Sequence, residues 1–259
     1  MRRIAYEACP LCDGERKTLA READGRRHPL YRAPLPAEMN WLRCDDCGHV
    51  FTDGWFDAEA SAHLFAKSNA FQTVGHDYER QRPIWSRVVE TVEPLIGPAG
   101  SWLDVGFGDG ALLLTAKELG FAPHGLDLRR AQIAALAALG VPAECADLDS
   151  FAPPCGFDVV SLMDVLEHMP FPRAALARAA ALIAPGGVLI VSCPLYASPA
   201  WDALERVGNP YWFEIEHFHN FSRAALTSLL AGVGFRISRA RVSERYRAGV
   251  EFYAQRSPV

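Results

Sequence analysis

The sequence predicts an α/β protein: a doubly wound, mostly parallel sheet that ends in an antiparallel hairpin and is preceded by a small cysteine-rich module. Three observations predict this architecture. From residue 101 onwards, short apolar runs alternate with helical patterns, which is typical of a parallel sheet covered by helices on both faces. The last two apolar runs follow each other with only a short polar segment between them. Two C-x-x-C pairs lie ahead of all these runs, within residues 1–56.

The cysteine-rich module has the pattern of a zinc ribbon. Each C-x-x-C pair is followed by a glycine one or two residues later, so both thiolates lie on a tight turn and can converge on one tetrahedral metal ion. We therefore predict a structural zinc site without an open coordination position, formed by Cys9, Cys12, Cys44 and Cys47. His49 is an alternative ligand, and a redox-active pair is an alternative role. The other three of the seven cysteines are single, which argues against a disulfide framework.

Residues 57–100 have a helical pattern. Pro83 can open a helix in which apolar residues recur at helical spacing from Ile84 to Leu95, and the turn G-P-A-G follows at 97–100. We interpret this part as a helical lid or linker ahead of the main domain, which we place at 101–259.

The stretch S-W-L-D-V-G-F-G-D-G at 101–110 organises the main domain. An apolar run, three glycines at alternate positions and a helical pattern at 111–119 predict a strand, a tight turn and a helix start. Glycine lets the backbone turn sharply and approach a ligand closely, and the helix start offers free N–H groups. The stretch also fits the dinucleotide fingerprint G-x-G-x-x-A, with Asp127 about 20 residues further on. It therefore predicts a cofactor that contains a ribose.

The remaining elements continue the alternation. Strands are predicted at 121–126, 141–145, 157–163 and 188–192, helices at 129–139, 171–183 and 222–231, and the hairpin at 235–242 and 250–255. Residues 194–220 have no regular pattern and are rich in aromatic residues, so we interpret them as an insertion. Ligands of such sheets bind at the carboxyl ends of the parallel strands.

Composition narrows the class of partner. The chain has 259 residues, half of them apolar, and a formal net charge of −5, which argues against nucleic acid as a partner. No apolar run approaches the length of a membrane span and no signal-peptide core is recognisable, so we expect a cytoplasmic protein without a membrane partner. Residues 222–259 nevertheless hold seven arginines and two glutamates. This basic stretch is either a solvated face of the hairpin or helps to hold an anionic small molecule. The oligomeric state stays open.

The order of five motifs resembles the class I S-adenosylmethionine (SAM) methyltransferases, which have a Rossmann-like fold. The motifs are L-D-V-G-F-G-D-G, G-L-D-L, A-D-L, F-D-V-V-S-L-M-D-V-L-E-H-M and A-P-G-G-V-L-I-V-S, and the resemblance covers 101–255. A four-cysteine module ahead of this fold resembles bacterial methyltransferases of sugar and secondary-metabolite pathways. The resemblance implies methyl transfer from SAM to a small-molecule acceptor such as a sugar, a nucleotide sugar or a secondary metabolite. A nicotinamide-dependent oxidoreductase and a non-enzymatic zinc-ribbon adaptor remain the alternatives.

The resemblance also implies a set of SAM-binding residues. In this reading Asp104 meets the ammonium group, Asp127 meets the ribose hydroxyls and Asp147 faces the adenine amino group. Met163 and Asp164 end the fourth strand, where the reactive methyl group is expected. The complete set is Asp104, Gly106, Phe107, Gly108, Gly110, Asp127, Leu128, Asp147, Leu148, Met163 and Asp164.

A hydroxyl or carbon acceptor also needs a base. The candidates are His168, after the fourth strand, and Glu216, His217 and His219, in the insertion at 194–220. We rank His217 first because the insertion should overhang the acceptor site. His217 and His219 alternate, so as a pair they could bind a metal ion or act as base and orienting group. The aromatic residues expected to wall the acceptor site are Tyr196, Trp201, Tyr211, Trp212 and Phe213.

Overall fold

The structure is a computed structural model that describes residues 1–65 and 72–256. Residues 66–71 of the predicted lid and 257–259 of the main domain lie outside the described residues. The strands are β1 (Arg3–Ala5), β2 (Lys17–Asp24), β3 (Glu38–Cys44), β4 (Val50–Thr52), β5 (Gly54–Phe56), β6 (Ser101–Val105), β7 (Ala122–Asp127), β8 (Ala143–Cys145), β9 (Phe157–Met163), β10 (Ile183–Pro194), β11 (His219–Asn220), β12 (Phe235–Val242) and β13 (Gly249–Arg256). The helices are α1 (Ala58–Phe65), α2 (Tyr78–Ile96), α3 (Ala111–Glu118), α4 (Arg130–Ala138), α5 (Pro172–Ala181), α6 (Pro199–Glu205) and α7 (Arg223–Gly232).

A seven-stranded sheet in the order β12-β13-β10-β9-β6-β7-β8 forms the centre of the molecule. The five strands from β10 to β8 run parallel, whereas β13 is antiparallel to both β10 and β12. Central strands such as β9 and β10 are apolar without alternation because helices cover both of their faces. The predicted fold class is confirmed, including the antiparallel hairpin at the C-terminal end.

Helix α2 is part of the core of the main domain. Its residues Trp85, Val88, Val89 and Val92 are buried in one cluster with Trp102 of β6 and Tyr253 of β13. The helical spacing of apolar residues was read correctly, but such a stripe suits a helix on a sheet as well as a lid. Helices α5 and α7 bury their apolar faces against the sheet in the other large cluster. Residues Gln81, Ile84 and Trp85 of α2 also line a cavity at the carboxyl ends of the strands, so the lid interpretation stays a prediction.

A second sheet joins the cysteine-rich module to the insertion. Its order is β11-β4-β3-β2, and β11 comes from the insertion, with His219 paired to Phe51 and Asn220 paired to Val50. The Thr52 N–H extends this ladder by donating to the Phe218 carbonyl at 2.9 Å. The predicted boundary at residue 56 therefore separates, in sequence, segments that share one sheet in the fold.

The aromatic residues of the insertion form its own core against this second sheet. Trp201, Tyr211 and Trp212 are buried together with Met39 and Trp41 of β3. Trp41 Nε1 donates to the Trp212 carbonyl at 2.9 Å. Tyr196 and Phe213 are partly buried against the same cluster. The prediction that these aromatic residues wall the acceptor site is therefore wrong, because their large apolar surfaces are used to attach the insertion to β3.

In the parts of the chain that the structure describes, none of the helices has both the length and the apolar character that a membrane crossing requires.

Gly54 should be essential for the pairing of β1 with β5. A Cβ at this position would lie 2.4 Å from the Ile4 carbonyl oxygen, which belongs to the partner strand and cannot rotate away. We expect Gly54→Ala to lower the free energy of unfolding by about 1–3 kcal/mol, as measured by urea denaturation. Gly232→Ala is the matched control, because a Cβ there meets nothing within 4 Å and alanine favours the last turn of α7. Equal stability of the two variants would contradict the packing described for β1 and β5.

Candidate active site

Two cavities open at the carboxyl ends of the parallel strands, where the fold predicts a ligand. The first has a volume of about 240 Å³ and lies at the ends of β6, β7 and β9, and the second has a volume of about 500 Å³. Among the lining residues of the first cavity are Asp127, Leu128, Asp147 and Leu148. The second is lined by Asp104, Phe107, Gly108, Met163 and Arg245. Gly106 and Asp164 line both, so one elongated ligand can occupy the two cavities across this shared edge.

The glycine turn forms as predicted between β6 and α3. Gly106, Gly108 and Gly110 have φ angles of +68°, +59° and +74°, which residues with a Cβ rarely adopt. At Gly106 a Cβ would also lie 2.9 Å from Val165 Cγ2. At Gly108 it would meet nothing within 4 Å, so the backbone there is open to the second cavity. The turn therefore lets a ligand approach the main chain closely.

Asp127 is the last residue of β7 and is buried, with its carboxylate at the wall of the first cavity. Its two oxygens already accept hydrogen bonds from Arg129: Nε donates to Oδ1 at 2.8 Å and Nη2 donates to Oδ2 at 2.6 Å. Oδ1 also accepts the Arg129 N–H at 2.9 Å. A carboxylate has about four lone-pair sites, so Oδ2 is the oxygen that can accept a further bond from a diol. The sequence did not predict the role of Arg129, although its position two residues after the acid suits such a fork.

Asp104 is buried in β6, and its Oδ1 accepts a hydrogen bond of 2.5 Å from the Ser161 hydroxyl. Burial raises the pKa of Asp104 to about 7, while the Ser161 hydrogen bond and the charge of Arg245 oppose this rise. A cationic group in the second cavity would favour the ionised carboxylate. The position therefore suits an ammonium group, as the sequence predicted.

The predicted adenine contacts are less enclosed. Asp147 is exposed, and its Oδ1 accepts a hydrogen bond from the Ser150 N–H at 2.7 Å. Hydrogen bonds from Ser150 lower the pKa of Asp147, so it is also the cap of a turn. Leu128 is 59% exposed and forms an open rim of the first cavity, and Leu148 is buried behind it. This end of the cavity offers one carboxylate edge and an apolar surface to a flat ring.

Of the four predicted base candidates, His168 and Glu216 line the first cavity. His168 Nδ1 lies 2.9 Å from the Glu216 carbonyl oxygen. A carbonyl oxygen can only accept, so Nδ1 carries the hydrogen of this bond. In the neutral ring, Nε2 then holds a lone pair and is the atom that can accept a proton.

His217, which the sequence ranked first, lies behind His168 and not among the residues that line the first cavity. The centroids of the two imidazole rings are 4.7 Å apart and the rings are nearly perpendicular. His217 also stacks on the Tyr211 ring. Burial lowers the pKa of His217 well below its usual value, with the charge of a protonated His168 acting in the same direction. A neutral His217 is therefore expected at pH 7.

Glu167 completes this cluster. It is 1% exposed, and neither carboxyl oxygen has a hydrogen-bond partner among the described residues. Burial raises its pKa well above the usual value, and the charge of Asp164 adds to this effect. Glu167, His168 and His217 each place one ligand atom within 4.8 Å of the others, so these three residues could hold a metal ion.

His219 is turned away from this cluster. Its Nδ1 is 3.1 Å from His49 Nε2, and its Nε2 donates to the Met169 carbonyl at 3.0 Å. Burial lowers the pKa of His219 to about 3. The predicted pairing of His217 with His219 is wrong, because His217 belongs to a turn closed by its N–H and the Glu214 carbonyl, and the strand begins only at His219. This bond uses His49 Nε2, and the cluster of potential metal ligands nearby consists of the four cysteines without His49.

The four cysteines of the N-terminal module converge as predicted. Cys9 Sγ and Cys47 Sγ are 3.7 Å apart, Cys12 Sγ and Cys44 Sγ are 3.5 Å apart, and all four sulfur atoms lie within 4.8 Å of one another. Zinc–sulfur bonds of about 2.3 Å in a tetrahedron place sulfur atoms roughly 3.8 Å apart. The cluster therefore has the donor atoms and the dimensions of a four-thiolate zinc site.

The parallel sheet, its glycine turn and the carboxylates at its strand ends define a SAM-dependent methyltransferase of class I. A family model described as a methyltransferase domain matches residues 77–240, which is more than half of the chain. The chain belongs to this methyltransferase family. The predicted SAM-dependent methyl transfer to a small-molecule acceptor is therefore confirmed over the oxidoreductase and adaptor alternatives.

Relatives of known name agree with this assignment. The chain is 32% identical over 193 residues to a ubiquinone biosynthesis O-methyltransferase of Xanthomonas axonopodis pv. citri, which covers 64% of this chain and 80% of that protein. A ubiquinone biosynthesis O-methyltransferase of Paramagnetospirillum magneticum is 37% identical over 115 residues, which covers 42% of this chain and 46% of that protein.

Solved structures share the fold. The 1,6-didemethyltoxoflavin-N1-methyltransferase of Burkholderia thailandensis, with bound S-adenosylhomocysteine, aligns with a TM-score of 0.59 and 19% identity over 83% of this chain and 98% of that chain. The magnesium protoporphyrin IX methyltransferase of Synechocystis, also with bound S-adenosylhomocysteine, aligns with a TM-score of 0.56 and 19% identity over 72% of this chain and 96% of that chain.

Asp127→Ala should remove most of the affinity for SAM while the protein remains folded. A hydrogen bond to a charged group contributes about 1.5–3 kcal/mol, so we expect the dissociation constant to rise about 10- to 100-fold. Titration calorimetry measures the constant, and circular dichroism reports on the fold. Asp149→Ala is the control, because Asp149 is an exposed acid of the neighbouring loop that does not line the first cavity. An unchanged dissociation constant for Asp127→Ala would remove Asp127 from the ribose site.

Proposed function

We propose that this methyltransferase transfers the methyl group of SAM to a hydroxyl oxygen of a small-molecule acceptor, and that His168 takes the hydroxyl proton. The observation that carries this proposal is the imidazole of His168, which faces the first cavity with its Nδ1–H engaged by the Glu216 carbonyl. The relatives named ubiquinone biosynthesis O-methyltransferase support an oxygen acceptor.

The chain's own residues would bind and align the reactants. Asp127 would accept a hydrogen bond from the ribose hydroxyls, Asp104 would meet the ammonium group, and the glycine turn would lie against the amino-acid part. SAM supplies an electrophilic methyl group on a sulfonium. Alignment and exclusion of water by the surrounding buried residues are the main contributions that the protein can make to such a displacement.

His168 would provide the proton transfer. The hydrogen bond from Nδ1 to the Glu216 carbonyl fixes the tautomer, so Nε2 can accept the acceptor's hydroxyl proton while the oxygen forms its bond to the methyl carbon. His217 and Tyr211 pack in sequence behind His168 and hold its ring from the protein side. We therefore place His168 ahead of His217 as the base, with His217 as a positioning residue.

The acceptor classes predicted from the sequence can be ordered by the wall beside His168. Phe65 and Met169 line the first cavity next to it. The Phe65 ring lies edge-on to the His168 ring, with 6.3 Å between the ring centroids. An apolar wall with one proton acceptor favours a hydroxylated secondary metabolite with a flat ring over a sugar or a nucleotide sugar. The aromatic residues of the insertion do not contribute to this recognition because they are buried in their own cluster.

We also propose that Cys9, Cys12, Cys44 and Cys47 hold one structural zinc ion. The sulfur–sulfur distances support it, and all four cysteines are free thiols. The module that the metal would stabilise pairs through β4 with β11, directly after Glu216 and His217. The metal would therefore support the acceptor side of the active site from a distance.

The acceptor proposal is tested by the release of S-adenosylhomocysteine with a panel of phenols, catechols and sugars, each beside its O-methyl ether. Free hydroxyl compounds should support turnover and their ethers should not. With an accepted compound, His168→Ala should lower turnover about 10²–10⁴-fold at an unchanged dissociation constant for SAM. His217→Asn should cost less, because it removes a packing partner and not the proton acceptor. Full turnover of His168→Ala would refute the role of His168, and methylation of amines alone would refute the oxygen acceptor.

Metal analysis should find one zinc ion per chain, which the double variant Cys44→Ser/Cys47→Ser loses. The exposed cysteines Cys145 and Cys155 lie outside the cluster, so Cys145→Ser/Cys155→Ser is the matched control. Upon chelation, amide hydrogen exchange should rise first in residues 1–56 and in β11, because they share a sheet whose small core depends on the metal. Full zinc occupancy in the Cys44/Cys47 variant would refute the site.

A further inference from the structure

Arg245 places a largely covered cation in the second cavity. It lies in the loop between β12 and β13, and its guanidinium is 4.1 Å above the Trp85 ring and 5.0 Å from the Tyr246 ring. Its side chain is only 16% exposed, and it lines the cavity together with Asp104 and the glycine turn. Stacking on Trp85 fixes the plane of the guanidinium, so the direction of its N–H groups is set before a ligand binds.

The partners of Arg245 leave part of its donor capacity for a ligand. Its Nη1 forms an ion pair of 3.0 Å with Asp164 Oδ2, but among the described residues Nη1 donates no aligned hydrogen bond. Asp164 is itself shared, because its Oδ1 accepts a hydrogen bond of 2.9 Å from the Ser192 hydroxyl. A guanidinium has five N–H donors, so this one ion pair does not satisfy it.

The other charged groups of the second cavity are committed elsewhere or carry the wrong sign. Arg80, the other arginine in its wall, is 85% exposed and pairs with Asp77. Glu244 pairs with Arg87 at the rim. Asp109 accepts hydrogen bonds from Gln81 and from the Ala111 N–H. Among the arginines that line the cavity in the described part of the chain, Arg245 is thus the largely covered one.

We infer that Arg245 binds the α-carboxylate of the amino-acid part of SAM; this rests on the SAM-dependent activity. A cofactor whose ribose is held by Asp127 in the first cavity passes the shared edge at Gly106 and Asp164 and places its amino-acid end in the second cavity. That end carries an ammonium and a carboxylate group. Asp104 suits the ammonium, and Arg245 is the group whose planar fork suits a carboxylate. Without a ligand, the ion pair with Asp164 keeps the Arg245 guanidinium in position.

The inference is tested by comparing two ligands that differ only in the carboxylate: S-adenosylhomocysteine and its decarboxylated analogue. Calorimetry should show that the native protein binds S-adenosylhomocysteine about 10- to 100-fold more tightly than the analogue, as expected for a charged hydrogen-bonded pair. In Arg245→Met this preference should fall to less than about threefold, with the analogue bound as in the native protein. Methionine retains an apolar stem for Trp85, and Arg245→Lys, which keeps the charge without the fork, should keep part of the preference.

Arg241→Met is the matched control. Arg241 lies in the same hairpin, but its guanidinium donates to the Thr91 hydroxyl at 2.7 Å and not into the cavity. It should leave the preference unchanged, as should Arg80→Met. A preference that survives in Arg245→Met, that disappears in Arg80→Met, or that is absent in the native protein would overturn the inference. Failure of the native protein to bind either ligand would instead refute the SAM site itself.

Discussion

The active site depends on the parallel pairing of β6 with its two neighbours. In this register Asp104 lies opposite Gly125 of β7 and opposite Ser161 of β9, so the three strands end at the same level. The carboxyl ends then place Gly106, Asp127 and Asp164 around one edge, although they are up to 58 residues apart in sequence. Gly125 is required in this register because a Cβ there would lie 2.7 Å from the Phe107 ring of the glycine turn. The sheet therefore sets both the position of the acids and the path of the turn.

The second sheet positions the part of the insertion that lies next to His168. The insertion is anchored at one end by the pairing of β11 with β4 and in its middle by Trp201, Tyr211 and Trp212 against β3. Between these anchors lie Glu216 and His217, next to His168. His49 and His219 bridge the same junction from the second cysteine knuckle to the Met169 carbonyl, which directly follows His168. The N-terminal module is therefore part of the structure that surrounds His168 and would position the proposed acceptor side.

The sequence predicted those parts of the fold whose signals are local. Alternating apolar runs and helical patterns, three glycines at alternate positions and two cysteine knuckles each carry their meaning within a few residues. The glycine turn, the strand-end position of Asp127 and the cysteine cluster were therefore predicted correctly. The helical stripe of α2 was also recognised, but a stripe alone does not reveal that α2 packs on the sheet and also lines the second cavity.

The remaining errors concern contacts between distant segments. Trp201 and Trp212 were assigned to an acceptor wall because aromatic residues suit both a ligand and a core, and only β3 decides between them. His219 was considered a catalytic residue because the sequence does not show its hydrogen-bond partner. That partner, His49, lies 170 positions away. Arg245 belonged to a basic stretch that was interpreted either as a solvated face of the hairpin or as part of a site for an anionic small molecule. The conformation of the β12–β13 loop shows that Arg245 lines the second cavity.

The charges around the shared edge bear on how the site would distinguish SAM from its demethylated product. Burial is the main cause of the raised pKa values of Asp104 and Glu167; the charge of Asp164 adds to the effect at Glu167, and the charge of Arg245 opposes the rise at both residues. If the carboxylate of the ligand takes donors from Arg245, Asp164 loses part of its compensation and its negative charge acts more strongly on the neighbouring sulfonium. Methyl transfer removes the sulfonium charge but leaves both ends of the amino acid unchanged. The carboxylate and ammonium contacts would therefore hold substrate and product alike, whereas the field of Asp164 at the shared edge would favour the methylated cofactor.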